Sequence, residues 1–149
     1  CDELAGDTLG IVRFDDHTFG VYVVDVSGHG VPSALLSVSL SRFLTSDPGS
    51  SVLWTTVGGA TDPRPATPVE VMEELSKRFP YDLQTSQYFT MVYAVVDLER
   101  GTLTYASAGH EPLIVVGSGG QPELGRSTGQ PIALVPSTLM KTPRFMVLP

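Results

Sequence analysis

The sequence predicts an α+β layered domain in which antiparallel strands are interrupted by two helices. Three observations carry that expectation. β-Branched and aromatic runs recur at Leu9–Phe14, Phe19–Val26, Tyr88–Leu98 and Thr102–Ser107, joined in pairs by short polar turns. Thr67-Pro68-Val69-Glu70 is a capping box with proline at the first helical position. Pro32, just after a glycine-rich turn, suits the first turn of another helix.

In chain order, Leu9–Phe14 and Phe19–Val26 form a hairpin around Asp15-Asp16-His17-Thr18. The helix Pro32–Leu44 is apolar on more than one face, through Leu35, Leu36, Val38, Leu40 and Phe43, so it is expected to be buried between a sheet and another layer. Asp47–Ala66 reads as a long loop insertion rich in proline and glycine, with Trp54 either tucked onto the core, the favoured reading, or offered to a partner. The second helix runs to about Phe79 and presents Val71, Leu75 and Phe79 on one face. Tyr88–Leu98 and Thr102–Ser107 make a second hairpin about Glu99-Arg100-Gly101. Pro112–Val116, a Gly117–Gly120 turn, Pro131–Val135 and Phe145–Leu148 continue the sheet.

With 149 residues, 42% of them apolar, the chain fits a single domain, 1–149, with a real core. A net charge of −7 argues against nucleic acid and suits divalent cations or basic protein surfaces. No run approaches the roughly 18 apolar residues that span a bilayer. The single cysteine, Cys1, excludes an internal disulfide and a Cys-rich zinc site, so a cytoplasmic location is expected. The opening on Cys and the apolar run at the end suggest an output domain excised from a longer signalling protein.

Asp25-Val26-Ser27-Gly28-His29-Gly30 narrows function most. A carboxylate closing an apolar strand before a glycine turn is held rigidly, and the glycines let a metal or phosphate approach the backbone. Asp7 precedes the first strand of the same hairpin, so the two acids can converge at one sheet edge. Two such carboxylates repel unless a cation lies between them, and hard oxygen donors favour Mg²⁺ or Mn²⁺ over zinc. On spacing alone, that reading weighs equally with a turn cap at Asp7 and a strand end at Asp25. His29 could donate a proton to a leaving group, but its glycine neighbours suit a loop histidine better; His110 is expected to fix a strand end by hydrogen bonding. Ser27 lacks a nucleophile elbow, and Gly117-Ser118-Gly119-Gly120 lacks the context of a phosphate-binding loop.

Gly6-Asp7, Asp25 through Leu36, Tyr88-Phe89-Thr90, Ala108-Gly109-His110-Glu111-Pro112 and Gly129-Gln130-Pro131-Ile132 occur in one order. The series resembles the SpoIIE/RsbU-type branch of the PPM metal-dependent serine/threonine phosphatases and spans nearly all the chain except Asp47–Ala66. The resemblance implies a layered α-β-β-α fold, a central antiparallel β-sandwich flanked by helices, here C-terminally incomplete. It implies a two-metal Mn²⁺ or Mg²⁺ site in which Asp25 bridges the metals, the Val26 carbonyl is a further ligand, and Asp7 binds directly or through water. It also implies a phosphorylated regulatory protein as substrate, such as an anti-sigma-factor antagonist, and a receiver or sensor domain in the same parent chain.

The chain departs from the family pattern at Ala5, at Gly10 where an acid is common, and at Ser76 where Asn is frequent. The family's remaining metal aspartates would fall beyond Pro149, and Asp82 and Asp97 stand in no matching context. The expected function is metal-dependent hydrolysis of phosphoserine or phosphothreonine on a partner, with Asp7 and Asp25 as the catalytic pair. The alternative is a phosphatase-like fold that has lost catalysis and serves as a regulated protein-binding module.

Overall fold

A computed structural model describes residues 6–56, 62–116, 120–126 and 129–136, and the backbone of 146–148. Strands β1 (Thr8–Arg13) and β2 (Thr18–Val26) form the first hairpin, with Thr8 opposite Val24 and Arg13 opposite Phe19. Its turn is closed by Asp15, whose Oδ1 accepts the N–H groups of His17 and Thr18 at 2.8 and 2.7 Å. Helix α1 spans Val31–Phe43, and the two-residue strands β3 (Trp54–Thr55) and β4 (Arg64–Pro65) pair within the expected loop. Helix α2 (Pro68–Arg78) starts from the capping box: Thr67 Oγ1 accepts the Glu70 N–H, and the Glu70 carboxylate accepts the Thr67 N–H at 2.8 Å. The second hairpin is β5 (Phe89–Asp97) and β6 (Thr102–Ala108).

These strands make one antiparallel sheet, β1-β2-β5-β6-β9, with β9 (Met146–Leu148) on its edge. Period-2 alternation divides its faces. Val24, Val26, Phe89, Met91, Tyr93 and Ala106 point into a core closed by Leu40 and Leu44 of and after α1, by Leu53, and by Val71, Met72 and Leu75 of α2. The opposite face carries Val23, Val92, Ala94, Leu103 and Tyr105, joined by Leu113. There the small pair β7 (Ile114–Val116) and β8 (Pro122–Leu124) begins a further β layer, anchored where Gly125 lies so close to Tyr105 that a Cβ would strike the phenol ring.

Most expected elements fall within a residue or two of their predicted bounds. Three expectations are corrected. Pro131–Val135 is not a strand: Ile132 makes only a bridge to Phe89, exchanging both N–H···O bonds at 3.1 and 2.9 Å, and Ala133 turns with φ 64°. β8 was not foreseen, because Pro-Glu-Leu has no alternating apolar pattern, and β7 pairs with it instead of extending the main sheet. Helix α1 is not covered all round: it buries Ser33, Ser37 and Leu40, while Val31, Leu35 and Val38 are each at least 60% exposed. Its small serines let the helix lie close to the sheet on one side only. Trp54 does tuck inward, edge-on to Phe14 with ring centroids 4.9 Å apart. Of the Gly117–Gly120 turn only Gly120 is among the described residues, and Phe145 and Ala5 lie outside them.

Candidate active site at the ends of β1 and β2

The register of the first hairpin brings Asp7 and Asp25 together. Thr8 pairs with Val24, so Asp7, one residue earlier, stands across from Asp25, one residue later. Both belong to the sheet face away from the helices and both are exposed to solvent at its end. Partial desolvation and then the adjoining Asp7 carboxyl raise the Asp25 carboxyl above the ordinary carboxylate range, against a smaller opposing pull from His110. Repulsion of this kind is relieved by a cation.

Val26 points the other way, into the core, and Gly6 lies over its backbone. A Cβ at Gly6 would sit 3.0 Å from Val26 Cβ and 3.1 Å from the Val26 carbonyl oxygen, so only glycine fits without displacing that group. Two carboxylates and one carbonyl are hard oxygen donors of the type that Mg²⁺ and Mn²⁺ prefer. Among the described residues no group of three or more His, Cys, Asp or Glu forms a metal cradle.

The glycine turn after Asp25 is tied to the start of β5. Ser27 N–H donates to the Tyr88 carbonyl at 2.9 Å, and Tyr88 N–H donates to Ser27 Oγ at 3.0 Å. This reciprocal pair uses the Ser27 hydroxyl structurally. Gly28 and Gly30 take φ of 87° and 81°, conformations that glycine adopts without strain. His29 is exposed between them.

His110 makes the strand-end hydrogen bond that the sequence leads one to expect, and it makes it next to Asp25. Distant in the chain from both acids, it reaches them through β5: Asp25 is paired with Thr90, and Thr90 Oγ1 lies 2.8 Å from His110 Nδ1. Ser107 Oγ donates to the His110 carbonyl at 3.1 Å, and Gly109, at φ 68°, packs so tightly on Pro131 that no Cβ would fit. The Ala-Gly-His series was the available signal; its proximity to Asp25 needed the strand order β2-β5-β6. Asp82 and Asp97 stay outside the site, each bonding turn N–H groups, Gln84 at 2.9 Å and Arg100 at 2.8 Å. The departure at Gly10 has a packing cause, since the Tyr22 ring fills the space a side chain would need. Ser76 spends its hydroxyl on the Met72 carbonyl at 2.8 Å.

The fold is that of PP2C-type phosphatase domains. The structure of the PP2C phosphatase domain with a fragment of the regulatory domain of SpoIIE from Bacillus subtilis superposes with a TM-score of 0.68 at 14% identity, covering 97% of this chain and 37% of that one. RsbX in complex with magnesium gives 0.66 at 14% identity, over 97% of this chain and 60% of that one. The family described as Stage II sporulation protein E (SpoIIE) matches residues 15–149, and the chain belongs to that family. Phosphoserine phosphatase RsbP of Bacillus subtilis is 30% identical over 136 residues, 89% of this chain and 30% of RsbP. Phosphoserine phosphatase RsbU of the same organism is 27% identical over 110 residues, 74% of this chain and 28% of RsbU. The chain thus spans less than a third of the length of these curated relatives.

Proposed function

We propose that this protein hydrolyses phosphoserine or phosphothreonine on a regulatory partner protein, with Asp7, Asp25 and the Val26 carbonyl holding Mn²⁺ or Mg²⁺. The observation that carries the reading is the apposition of Asp7 and Asp25 at one sheet end, beside the Ser27–Gly30 turn, in a chain of the SpoIIE family. Relatives named phosphoserine phosphatases support the substrate chemistry. A divalent cation, when bound, supplies the acidified water and the positive charge that phosphoryl transfer requires. The protein's own part is positional. Asp7 and Asp25 present their oxygens from neighbouring antiparallel strands, Gly6 leaves the Val26 carbonyl unhindered, and Thr90 orients His110 beside the pair. The open glycines let a phosphorylated side chain approach.

The phosphorylated partner is of the anti-sigma-factor-antagonist type, and a receiver or sensor domain in the parent chain governs the reaction. Among the described residues no helix is long and apolar enough to cross a membrane. The test is Mn²⁺-dependent hydrolysis of p-nitrophenyl phosphate by the protein and by Asp25→Ala. Turnover that falls at least about a hundredfold in the variant is expected, beyond the range for outer-shell changes. Equal turnover in both overturns the metal assignment. A folded protein that binds a phosphorylated partner without hydrolysing it marks the alternative, a regulated protein-binding module.

A further inference from the structure

A cleft of about 560 Å³ opens beside the Asp25 turn, between the Ser27–Ser33 segment and the loop that leads into β5. Ser27, Gly28 and His29 form one wall and Ser86, Gln87 and Tyr88 the other. Its first wall begins two residues after Asp25, so the cleft continues the candidate site along the chain.

Three features distinguish this cleft from an accidental gap. Its walls are fastened together: the Ser27 and Tyr88 N–H groups each donate across it, at 2.9 Å to the Tyr88 carbonyl and 3.0 Å to Ser27 Oγ, which fixes its closed end. Its outer wall is preshaped. Asp82 accepts the Gln84 N–H at 2.9 Å and its carbonyl accepts the Ser86 N–H at 2.9 Å, holding Ser86 at φ 49°, a left-handed conformation unusual for serine. Its first wall is unobstructed at Gly28, which has no atom within 4 Å of where a Cβ would stand. The lining chemistry is hydroxyl, amide, imidazole and backbone, and among the described residues lining it there is no Asp, Glu, Lys or Arg.

The geometry points to this cleft as the seat of the peptide segment flanking the phosphorylated residue, and to a segment of small, uncharged, hydrogen-bonding residues as its occupant. The inference rests on the phosphatase reading and deepens it by assigning partner selection to the Thr85–Tyr88 wall. A charged side chain entering the cleft would exchange water for neutral groups without gaining an ionic partner, so it is disfavoured in either sign. Discrimination comes as much from this penalty as from contacts to the correct sequence.

Three fluorescent phosphoserine nonapeptides test it, alike except for flanks of Ala, Asn and Ser, of Glu, or of Lys. Affinity is read by anisotropy in the presence of Mn²⁺, and Mn²⁺-dependent turnover is followed beside p-nitrophenyl phosphate. The protein is expected to bind the neutral-flanked peptide about threefold to fivefold more tightly than either charged one, the range of an exposed charge effect. Gln87→Lys should move the preference to the Glu-flanked peptide and Gln87→Glu to the Lys-flanked one. Opposite shifts from two variants at one position are not a folding defect. Equal affinities in all three proteins, or no peptide bound by any, overturn the cleft assignment. Discriminating binding without turnover of any phosphate ester upholds the cleft and overturns the hydrolase reading instead.

Discussion

Thr90 Oγ1 and His110 Nδ1 lie 2.8 Å apart, and through the pairing of Thr90 with Asp25 that contact sits beside Asp25 on the same face of the sheet. Which of the two donates depends on the imidazole tautomer, and in either case the bond fixes the orientation of the ring. The contact joins β5 to the turn after β6, so the pair of acids on β1 and β2 is backed by elements far away in sequence.

Replacing Thr90 by Val keeps shape and removes that hydroxyl. Mn²⁺ affinity, measured by isothermal titration, should fall about tenfold, the scale of outer-shell changes at metal sites. Thr90→Ser should restore it. Unchanged affinity in Thr90→Val would separate His110 from the site.

Asp7→Asn removes one of two apposed charges. Because Asp25 is held above the ordinary carboxylate range, its ionisation costs stability as pH rises through its folded-state value, and the wild type gains stability as pH falls below it. Without metal, Asp7→Asn should therefore be at least as stable as the wild type at neutral pH and show a flatter stability profile from mildly acidic to neutral pH. With Mn²⁺ the order should reverse, because the variant loses a ligand. Calorimetric melting with and without Mn²⁺ checks both signs.

The Glu70 carboxylate is held down to about 2, chiefly by Arg64, whose guanidinium makes two bonds to it at 2.7 and 3.0 Å, and further by Thr67. Its contribution is therefore fully present above its unfolded value near 4.5 and is lost as pH falls towards 2. Glu70→Gln should cost about 1 kcal/mol at neutral pH, the usual worth of a helix cap. The melting curves of variant and wild type should converge as pH falls from 5 towards 2.

Tyr93 is wholly buried and its hydroxyl has no partner among the described residues, and burial pushes the phenol well above its ordinary range. Tyr93→Phe relieves that hydroxyl of its desolvation and should stabilise the fold by up to about 1 kcal/mol in chemical denaturation. A loss of that size would mean that the hydroxyl is bonded in solution.

The hairpins, the capping box and the acid pair were legible because their signals are local: alternation on either side of Asp15, Thr67 spaced three residues from Glu70, and Asp7 and Asp25 at the two ends of one hairpin. Whatever depends on distant pairing was not. Ile132 pairs with Phe89 over a gap that no periodicity reports, and His110 meets Thr90 only because β5 lies between β2 and β6. Val31, Leu35 and Val38 look like core residues in sequence, yet the helix turns its serine face to the sheet. Burial depends on which layer arrives, and that is a property of topology.

The Ser27–Tyr88 tie bridges 61 positions, and the β2–β5 ladder it terminates encloses both helices between its strands. Hairpins β1–β2 and β5–β6 can close quickly on their own, whereas joining them pays the entropy of a long loop before any contact repays it. Asp7 and Asp25 share the first hairpin, while Thr90 and His110 belong to the second, and the two sets meet only at the slow joining step. In a refolding time course, an acidic pair able to attract cations thus exists before the machinery around it, and native selectivity dates from the moment β2 finds β5.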